Sequence, residues 1–363
     1  MPATATRLYA QRARDAHAAM LTRFQRPDGM LRRDGIVHRP GAAAHLWPLT
    51  RALMADLDVA GISGSAPDAL NPVITQRMPA LERYWDERGP AYASDPPGGR
   101  LAGRVGGDIY YDDNAWVGLA LVTLQLRRPD LGHIDRAMRL AAFARSGWDD
   151  DPAGPSPGGV FWVQQARGIG ARNHDRNAVS TAPNGQLILH LEALGALTGD
   201  ERPSAQQMEA WVTGALTGPS GLIRDKIRGD IRGDDAIDEA TWSYNQGSMI
   251  GLRALLARRD GSEDEAHAAA AQELATRAID HYDLTAYAGE PGAFVAIFVR
   301  NLLVLYARTD DAQLRARISA TLRERAEAAW ARAGRRTTLL EHSSVVSLQA
   351  LAAWDPSDYS LIA

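Results

Sequence analysis

Residues 110–116, Tyr-Tyr-Asp-Asp-Asn-Ala-Trp, hold the sharpest chemical signal in the chain. Two neighbouring carboxylates, Asp112 and Asp113, stand among flat aromatic rings. Carboxylates held close disfavour double ionisation, so one tends to keep its proton while the other stays charged. That division supplies one group to protonate a leaving oxygen and another to attack or to direct water, which are the two groups glycoside hydrolysis needs. Tyr110, Tyr111 and Trp116 offer ring faces of the kind that stack on sugars, and Asn114 offers a donor and an acceptor for hydroxyls. The plain alternative is capping, because Asp is favoured in the first turn of a helix, where it meets free amides and the positive end of the dipole. Adjacent β-carbons lie close together, which leans toward the separation of roughly 5–5.5 Å used by retaining enzymes.

The elements that must position this pair read as helices. After Asp113 the segment runs to Leu126 without a charge. Helical periodicity predicts about twelve helices. They run Thr4–Phe24, His45–Ala60, Asn71–Trp85, Asp112–Arg127, His133–Gly147, Asn177–Leu197, Ser204–Gly214, Glu239–Arg258, Glu263–His281, Gly292–Arg308, Asp311–Ala333 and Ser343–Trp354. Short strand material is expected at Gly158–Gln165 and Gly221–Ile227. The even-numbered helices are apolar almost all round, while most odd-numbered ones carry charges along one face. A helix that is apolar all round must be enclosed, and a one-sided helix faces water. Alternation of the two, with the seventh helix as the weak case, predicts an all-α (α/α)6 barrel, a toroid of six helical hairpins in one domain, with an open α-solenoid as the alternative.

In such a ring the inner helices run the same way, so their N-termini gather at one end. The polar pieces fall there: Tyr-Tyr-Asp-Asp-Asn on the fourth helix, Ala-Pro-Asn-Gly with Asn184 on the sixth, and Thr-Trp-Ser-Tyr-Asn-Gln-Gly on the eighth. They mark a pocket at the mouth of an apolar barrel. Trp242 and Tyr244 fit either that pocket or the core. Asn245 and Gln246 fit either substrate or loop carbonyls, and Trp162 either lines the cleft or seals its strand. Arg300, alone in an apolar helix, needs a buried partner, and an ion pair is favoured over a substrate contact.

Composition removes other classes. The chain has 363 residues, 45% hydrophobic and 23% charged, with a formal net charge of −4. That suits a large packed core and disfavours a nucleic-acid or anionic-membrane surface. The basic residues are mostly Arg, beside much Ala and Gly, a mark of genome composition. Without cysteine there is no disulfide, thiolate metal site or Cys nucleophile. The histidines, including His38, His45, His174, His190 and His342, lack ligand spacing. No Asp-rich loop has calcium-ligand spacing, so neither metal nor cofactor is expected. The two Arg-Gly-Asp triplets fit tight turns, and the Gly-rich run 95–108 fits a rim over the cleft. The first twenty residues hold no signal-peptide core, which predicts a cytoplasmic protein if Met1 is the natural start. An exported protein that has lost its leader would look the same.

At these residues the sequence resembles a known family. Tyr-Tyr-Asp-Asp-Asn-Ala-Trp-Val-Gly-Leu resembles the signature of glycoside hydrolase family 76, the endo-α-1,6-mannanases, whose fold is the (α/α)6 barrel. Gly-Gly-Val-Phe-Trp is similar to the family's Gly-Gly-Ile-Trp-Trp strand, Thr-Trp-Ser-Tyr-Asn-Gln-Gly to its Trp-Thr-Tyr-Asn-Gln-Gly segment, and Gly-Ala-Phe-Val-Ala-Ile-Phe-Val-Arg to a late Gly-Ile-Phe-hydrophobic-Arg segment. Together they span Trp47 to Trp354. The resemblance implies a retaining mechanism on α-mannan-type oligo- or polysaccharide, with Asp112 as nucleophile and Asp113 as acid/base. It implies substrate contacts from Asn114, Trp116, Asn184, Tyr244, Asn245 and Gln246, to which the residues themselves add Tyr111, Trp162 and Trp242 as candidates. The chain departs from the family in Gly-Gly-Val-Phe-Trp-Val-Gln-Gln, where a second Trp and an acidic residue are more usual. Rival readings are a transglycosidase on the same scaffold, a sugar epimerase using paired histidines, and a sugar binder without catalysis.

Overall fold

The computed structural model describes residues 3–32, 43–62, 71–97, 106–152, 156–166, 168–171, 173–199, 201–229, 236–257, 264–283, 289–335 and 338–363. Twelve α-helices dominate it: α1 (Ala3–Phe24), α2 (Leu46–Ala60), α3 (Asn71–Glu82), α4 (Tyr111–Arg127), α5 (Ile134–Ser146), α6 (Ala178–Ala193), α7 (Ala205–Leu216), α8 (Ser243–Leu256), α9 (Glu265–His281), α10 (Gly292–Tyr306), α11 (Ala312–Arg332) and α12 (Leu339–Ala353). The even-numbered helices pack in succession from α2 to α12, and α12 returns to α2. The odd-numbered helices lie outside them, α1 on α12, α3 on α2, α5 on α4, α7 on α6, α9 on α8, and α11 on α10 and α12. This closure excludes the open solenoid, in which the first and last inner helices would not meet.

The charge pattern explains the two layers. From Asn114 to Leu124 every residue of α4 is buried, because neighbours cover it on all sides. Helix α5 buries only Ala137, Leu140, Ala141, Phe143 and Ala144, one stripe at helical spacing, and leaves Asp135 and Arg139 exposed. Small residues let the inner helices approach. A Cβ on Gly118 of α4 would lie 2.5 Å from Leu187 of α6, and one on Gly247 of α8 would lie 2.7 Å from the Phe298 backbone of α10. Some polar groups inside the ring are paired across it. Gln186 Nε2 of α6 donates to Ser248 O of α8 at 2.6 Å and to Asn301 Oδ1 of α10 at 2.9 Å. At the C-terminal end of α2, Asp58 forms an ion pair with Arg300 of α10, and its backbone carbonyl accepts Trp354 Nε1 at 2.8 Å. Arg300 is thus the structural ion pair, away from the mouth.

Several element bounds differ from expectation for local reasons. Helix α3 stops at Glu82, and Trp85 enters a two-residue strand, β1 (Trp85–Asp86), paired with β2 (Ala91–Tyr92). Helix α12 begins four residues early because the Thr338 side chain accepts the Glu341 amide as an N-cap. Helix α8 begins at Ser243, four residues after the expected start, and the chain up to Asp238 belongs to a small antiparallel sheet of β3 (Arg176–Asn177), β4 (Lys226–Ile227) and β5 (Ile237–Asp238), with β4 central. The stretch Gly158–Gln165 forms isolated bridges, Val160 with Trp148, Phe161 with Arg176 and Val163 with Tyr110, rather than a regular strand. Its first residues, Gly158 and Gly159, take φ of 107° and 82°, which bends the chain where a strand would run straight. His38, the second Arg-Gly-Asp triplet, the end of the first one, most of the Gly-rich run and the predicted helix limits at Arg258 and Glu263 fall outside the described residues. Among the described residues no helix is long and apolar enough to cross a membrane.

Candidate active site

A cavity of about 730 Å³ opens at the mouth of the ring. Every inner helix contributes to its wall from its first two turns: Trp47 from α2, the aspartate pair and Trp116 from α4, Val179 from α6, Tyr244 from α8, Phe294 from α10 and Leu340 from α12. The remaining wall comes from connecting segments, including Asp108, Tyr110, Trp162, Asp225 and Lys226. Because the inner helices run in parallel, six positive dipole ends face this space.

Asp112 and Asp113 both line the cavity and both are half-buried. The contacts of Asp112 with backbone amides stay within its own turn, where its Oδ1 accepts the Asp113 amide at 3.0 Å, and no side chain caps α4 at Tyr110. Burial pushes the Asp112 carboxyl up from 3.8 to about 7, against the pull of backbone amides and the Trp162 side chain, which hydrogen-bond it. The nearby Asp225 carboxylate adds to the rise. Asp113 is raised well above the ordinary carboxylate range, first by burial and then by the charge of Asp112. Burial and mutual repulsion thus couple the two carboxyls, so that one ionises while the other keeps its proton.

The aromatic and amide candidates divide. Trp116, Trp162 and Tyr244 line the cavity as expected, and Trp162 packs on Tyr110 with ring centroids 5.0 Å apart. Tyr111 does not. It is buried on the far side of α4's first turn, stacked on Phe143 at 4.3 Å, and Tyr110 takes its place in the wall. Asn114 is a backbone clamp: its Oδ1 accepts Tyr92 N at 2.8 Å and its Nδ2 donates to Tyr92 O and Tyr110 O at 2.9 and 2.7 Å. Asn184 is buried behind the pair, donating to Tyr111 O and Ser180 O. Trp242 precedes α8 and packs edge-on against Phe294, outside the cavity wall. Gln246 clamps Ile223, accepting its amide at 2.7 Å and donating to its carbonyl at 2.8 Å, so it serves a loop. Asn245 donates to Asp225 Oδ1 at 3.0 Å and so holds a carboxylate of the site without reaching the space itself.

That carboxylate, Asp225, escaped the sequence analysis, as did Lys226 beside it. Asp225 is buried, and burial raises its pKa in spite of the Asn245 donor and the neighbouring Lys226. Tyr244 OH stands 3.4 Å from its Oδ1. Asp225 precedes and Lys226 opens the two-residue strand β4, which is too short for a period to mark an inward face. A usable signal was nevertheless present, because Lys226 is the only lysine in the sequence. Asp95 and His45, 3.1 Å apart, stand in the wall next to the α2 end. Two buried polar atoms there, Trp47 Nε1 and Asn177 Oδ1, have no partner among the described residues. His45 is the one histidine of the wall, so the paired histidines of an epimerase are not assembled among the described residues. His190 is buried elsewhere on α6, its pKa lowered to about 3 by burial and then by Arg308. Among the described residues no group of three His, Cys, Asp or Glu side chains is placed to hold a metal ion.

The closed helical ring is an (α/α)6 barrel with paired carboxyls at its mouth. Residues 9–352 match the family model of glycosyl hydrolase family 76, and the chain belongs to that family. A comparison with curated proteins gives no match. Among solved structures, a family 76 glycoside hydrolase from a bovine Bacteroides thetaiotaomicron strain superposes with a TM-score of 0.78 at 18% identity, over 95% of this chain and 77% of that one. An inactive variant of an α-1,6-mannanase of Salegentibacter sp. HEL1_6, with two consecutive aspartates replaced by asparagine and in complex with α-1,6-mannotriose, gives 0.75 at 19%, over 95% and 99%. Dfg5 from Chaetomium thermophilum in complex with glucosamine gives a TM-score of 0.71 at 17%, over 95% and 90%. At these identities the likeness is one of fold.

Proposed function

We propose that this chain is one catalytic domain that hydrolyses α-1,6-mannosidic bonds in mannan-type glycans with retention of anomeric configuration. The observation that carries the proposal is the pair itself: two adjacent carboxyls open to one cavity, whose closeness disfavours double ionisation. Asp112, as the ionised partner, attacks the anomeric carbon. Asp113 passes its proton to the departing glycosidic oxygen, so the bond to the leaving sugar breaks as the Asp112–sugar ester forms. Asp113, now charged, takes a proton from water as the water oxygen attacks the same carbon. The ester breaks, the sugar leaves and both carboxyls return to their starting states. Trp162 steadies the Asp112 charge, and Asn245 orients Asp225 toward the same space.

The Salegentibacter mannanase supports the linkage and the pair, since its inactive form lacks two consecutive aspartates and holds α-1,6-mannotriose. The test is incubation with α-1,6-mannan and with mannans of other linkages, following reducing ends and the anomer first released by proton NMR. Release of the α-anomer from α-1,6 chains, lost in both Asp112→Asn and Asp113→Asn, is the expected result. First release of the β-anomer refutes retention. Cleavage of another linkage keeps the two-aspartate chemistry and discards the substrate. Sugar transferred to a second glycan in place of water identifies a transglycosidase, and binding without cleavage identifies a lectin-like protein.

A further inference from the structure

The chain has 40 lysines and arginines, and all but Lys226 are arginine. This single lysine stands in the wall of the catalytic cavity, at the start of β4 and next to Asp225. Charge alone does not call for lysine, since arginine supplies it everywhere else in the molecule. The two differ in shape. Arginine ends in a planar fork of five donors that wants acceptors in one plane, whereas lysine ends in a compact ammonium whose three donors diverge.

The surroundings of Lys226 use that difference. Its Nζ lies 2.8 Å from Asp175 Oδ2, and Asp175 is itself buried and anchored by the Gly229 amide on Oδ1 at 3.0 Å. The Trp162 ring centroid lies 6.0 Å from Nζ, and Trp162 in turn hydrogen-bonds Asp112. Among the described residues Asp175 is the one hydrogen-bond acceptor for the ammonium. One N–H fixes the head, and two remain for whatever enters the cavity. A guanidinium fixed by the same carboxylate would point its remaining donors in the plane of that contact instead of across it.

The charge around it selects the ligand. Asp175 balances Lys226, and the wall otherwise carries Asp95, Asp108, Asp112, Asp113 and Asp225. An anionic ligand would meet a surplus of carboxylates. An uncharged polyol meets an ammonium donor, Lys226, in the same wall as the Asp225 carboxyl, a combination that offers both a donor and an acceptor to neighbouring hydroxyls. The geometry points to Lys226 as a specificity-determining residue that donates to a hydroxyl of the glycan, in a subsite it shares with Asp225 and Trp162. This rests on the glycosidase reading of the same cavity.

The lone lysine makes its own test, because apart from the α-amino terminus it is the only amine in the chain. Asp113→Asn protein, whose turnover of mannan should be slower by roughly a hundredfold or more, is acetylated with an N-hydroxysuccinimide ester in the presence and absence of α-1,6-mannotetraose, with an α-1,6-glucose oligomer as control. The extent at Lys226 is read by peptide mass spectrometry. Mannotetraose should slow acetylation several-fold, and the glucose oligomer should not. In steady-state kinetics on α-1,6-mannan, Lys226→Met should lower kcat/KM roughly tenfold to a hundredfold, mostly through KM, as expected for loss of a charge-assisted hydrogen bond. Lys226→Arg should recover little of it. If Lys226→Met fails to fold, the protection experiment on the native side chain decides. Equal acetylation rates with and without mannotetraose, in a protein that cleaves mannan, overturn the assignment, as does a folded Lys226→Met enzyme with kcat/KM within twofold of wild type. Failure of the underlying reading looks different: the wild-type protein releases no reducing ends from any mannan, and that result removes both proposals.

Discussion

Replacing Asp112 by asparagine should stabilise the fold near neutral pH while abolishing activity. In the folded chain burial lifts the Asp112 carboxyl from 3.8 to about 7. Each unit corresponds to about 1.36 kcal/mol, so the ionised side chain costs the native state about 4 kcal/mol, less whatever water in the open cavity screens. A gain of about 2–4 kcal/mol is expected for the variant. The sign follows from linkage. A carboxyl whose folded pKa is raised penalises the folded state above that pKa, where both states are charged, and the penalty disappears below the unfolded value, where both are neutral. Asparagine carries no charge at any pH and still presents an oxygen to the Asp113 amide, which Asp112 Oδ1 meets at 3.0 Å. The advantage of Asp112→Asn should therefore be full at about pH 8, about half at pH 5.5 and absent near pH 3.5. Urea unfolding of both proteins at the three pH values measures it. A gain that is equal at all three, or a loss of stability at pH 8, refutes the claim that ionisation of this carboxyl opposes folding.

The other predictions concern neighbouring and distant groups. Asp113→Asn should lower kcat/KM on mannan by roughly 10²–10⁴-fold and far less on an aryl mannoside with an acidic leaving group. On that substrate the ascending pH limb near 7 should remain, because burial and not Asp113 sets the Asp112 value; a limb that moves below 5 would be the contrary result. Asn114→Ala removes bonds to both backbone groups of Tyr92 and to the Tyr110 carbonyl, which should cost about 2–4 kcal/mol in denaturant titrations while KM per folded enzyme stays within threefold. A large KM change with little loss of stability would restore Asn114 as a substrate contact. Asp58→Leu leaves the buried Arg300 guanidinium uncompensated and should cost about 3–5 kcal/mol, with folded enzyme fully active.

The ring was legible because its cause is a contrast repeated along the chain. Helix α4 reads apolar from Ala115 to Leu126 and α5 reads one-sided, and no arrangement but an inner and an outer layer satisfies both. The aspartate pair was legible for a similar reason, as charge that the burial around it does not otherwise explain. Which polar neighbours face the cavity was not legible. Asn114 follows Asp113 by one residue, and a step of about 100° around a helix carries its amide from the mouth to the Tyr92 backbone. The phase of each helix relative to the ring axis fixes that outcome, and hydrophobic pattern does not reveal phase when a helix is apolar all round. Gln246 and Asn245 show the same limit, one holding Ile223 and the other Asp225. Asp225 and Lys226 lie at the start of β4, a strand of two residues that is too short to show a period, so only the oddity of a lone lysine could have flagged them.

Closure of α12 onto α2 has an evolutionary corollary. A solenoid can lengthen by duplicating a unit, but a closed toroid cannot take a seventh hairpin without widening its bore and emptying the packed middle. Diversification of such an enzyme is thereby channelled into the connectors around its rim, such as the stretch bearing Asp225 and Lys226, which can be exchanged while the staves of the barrel stay put.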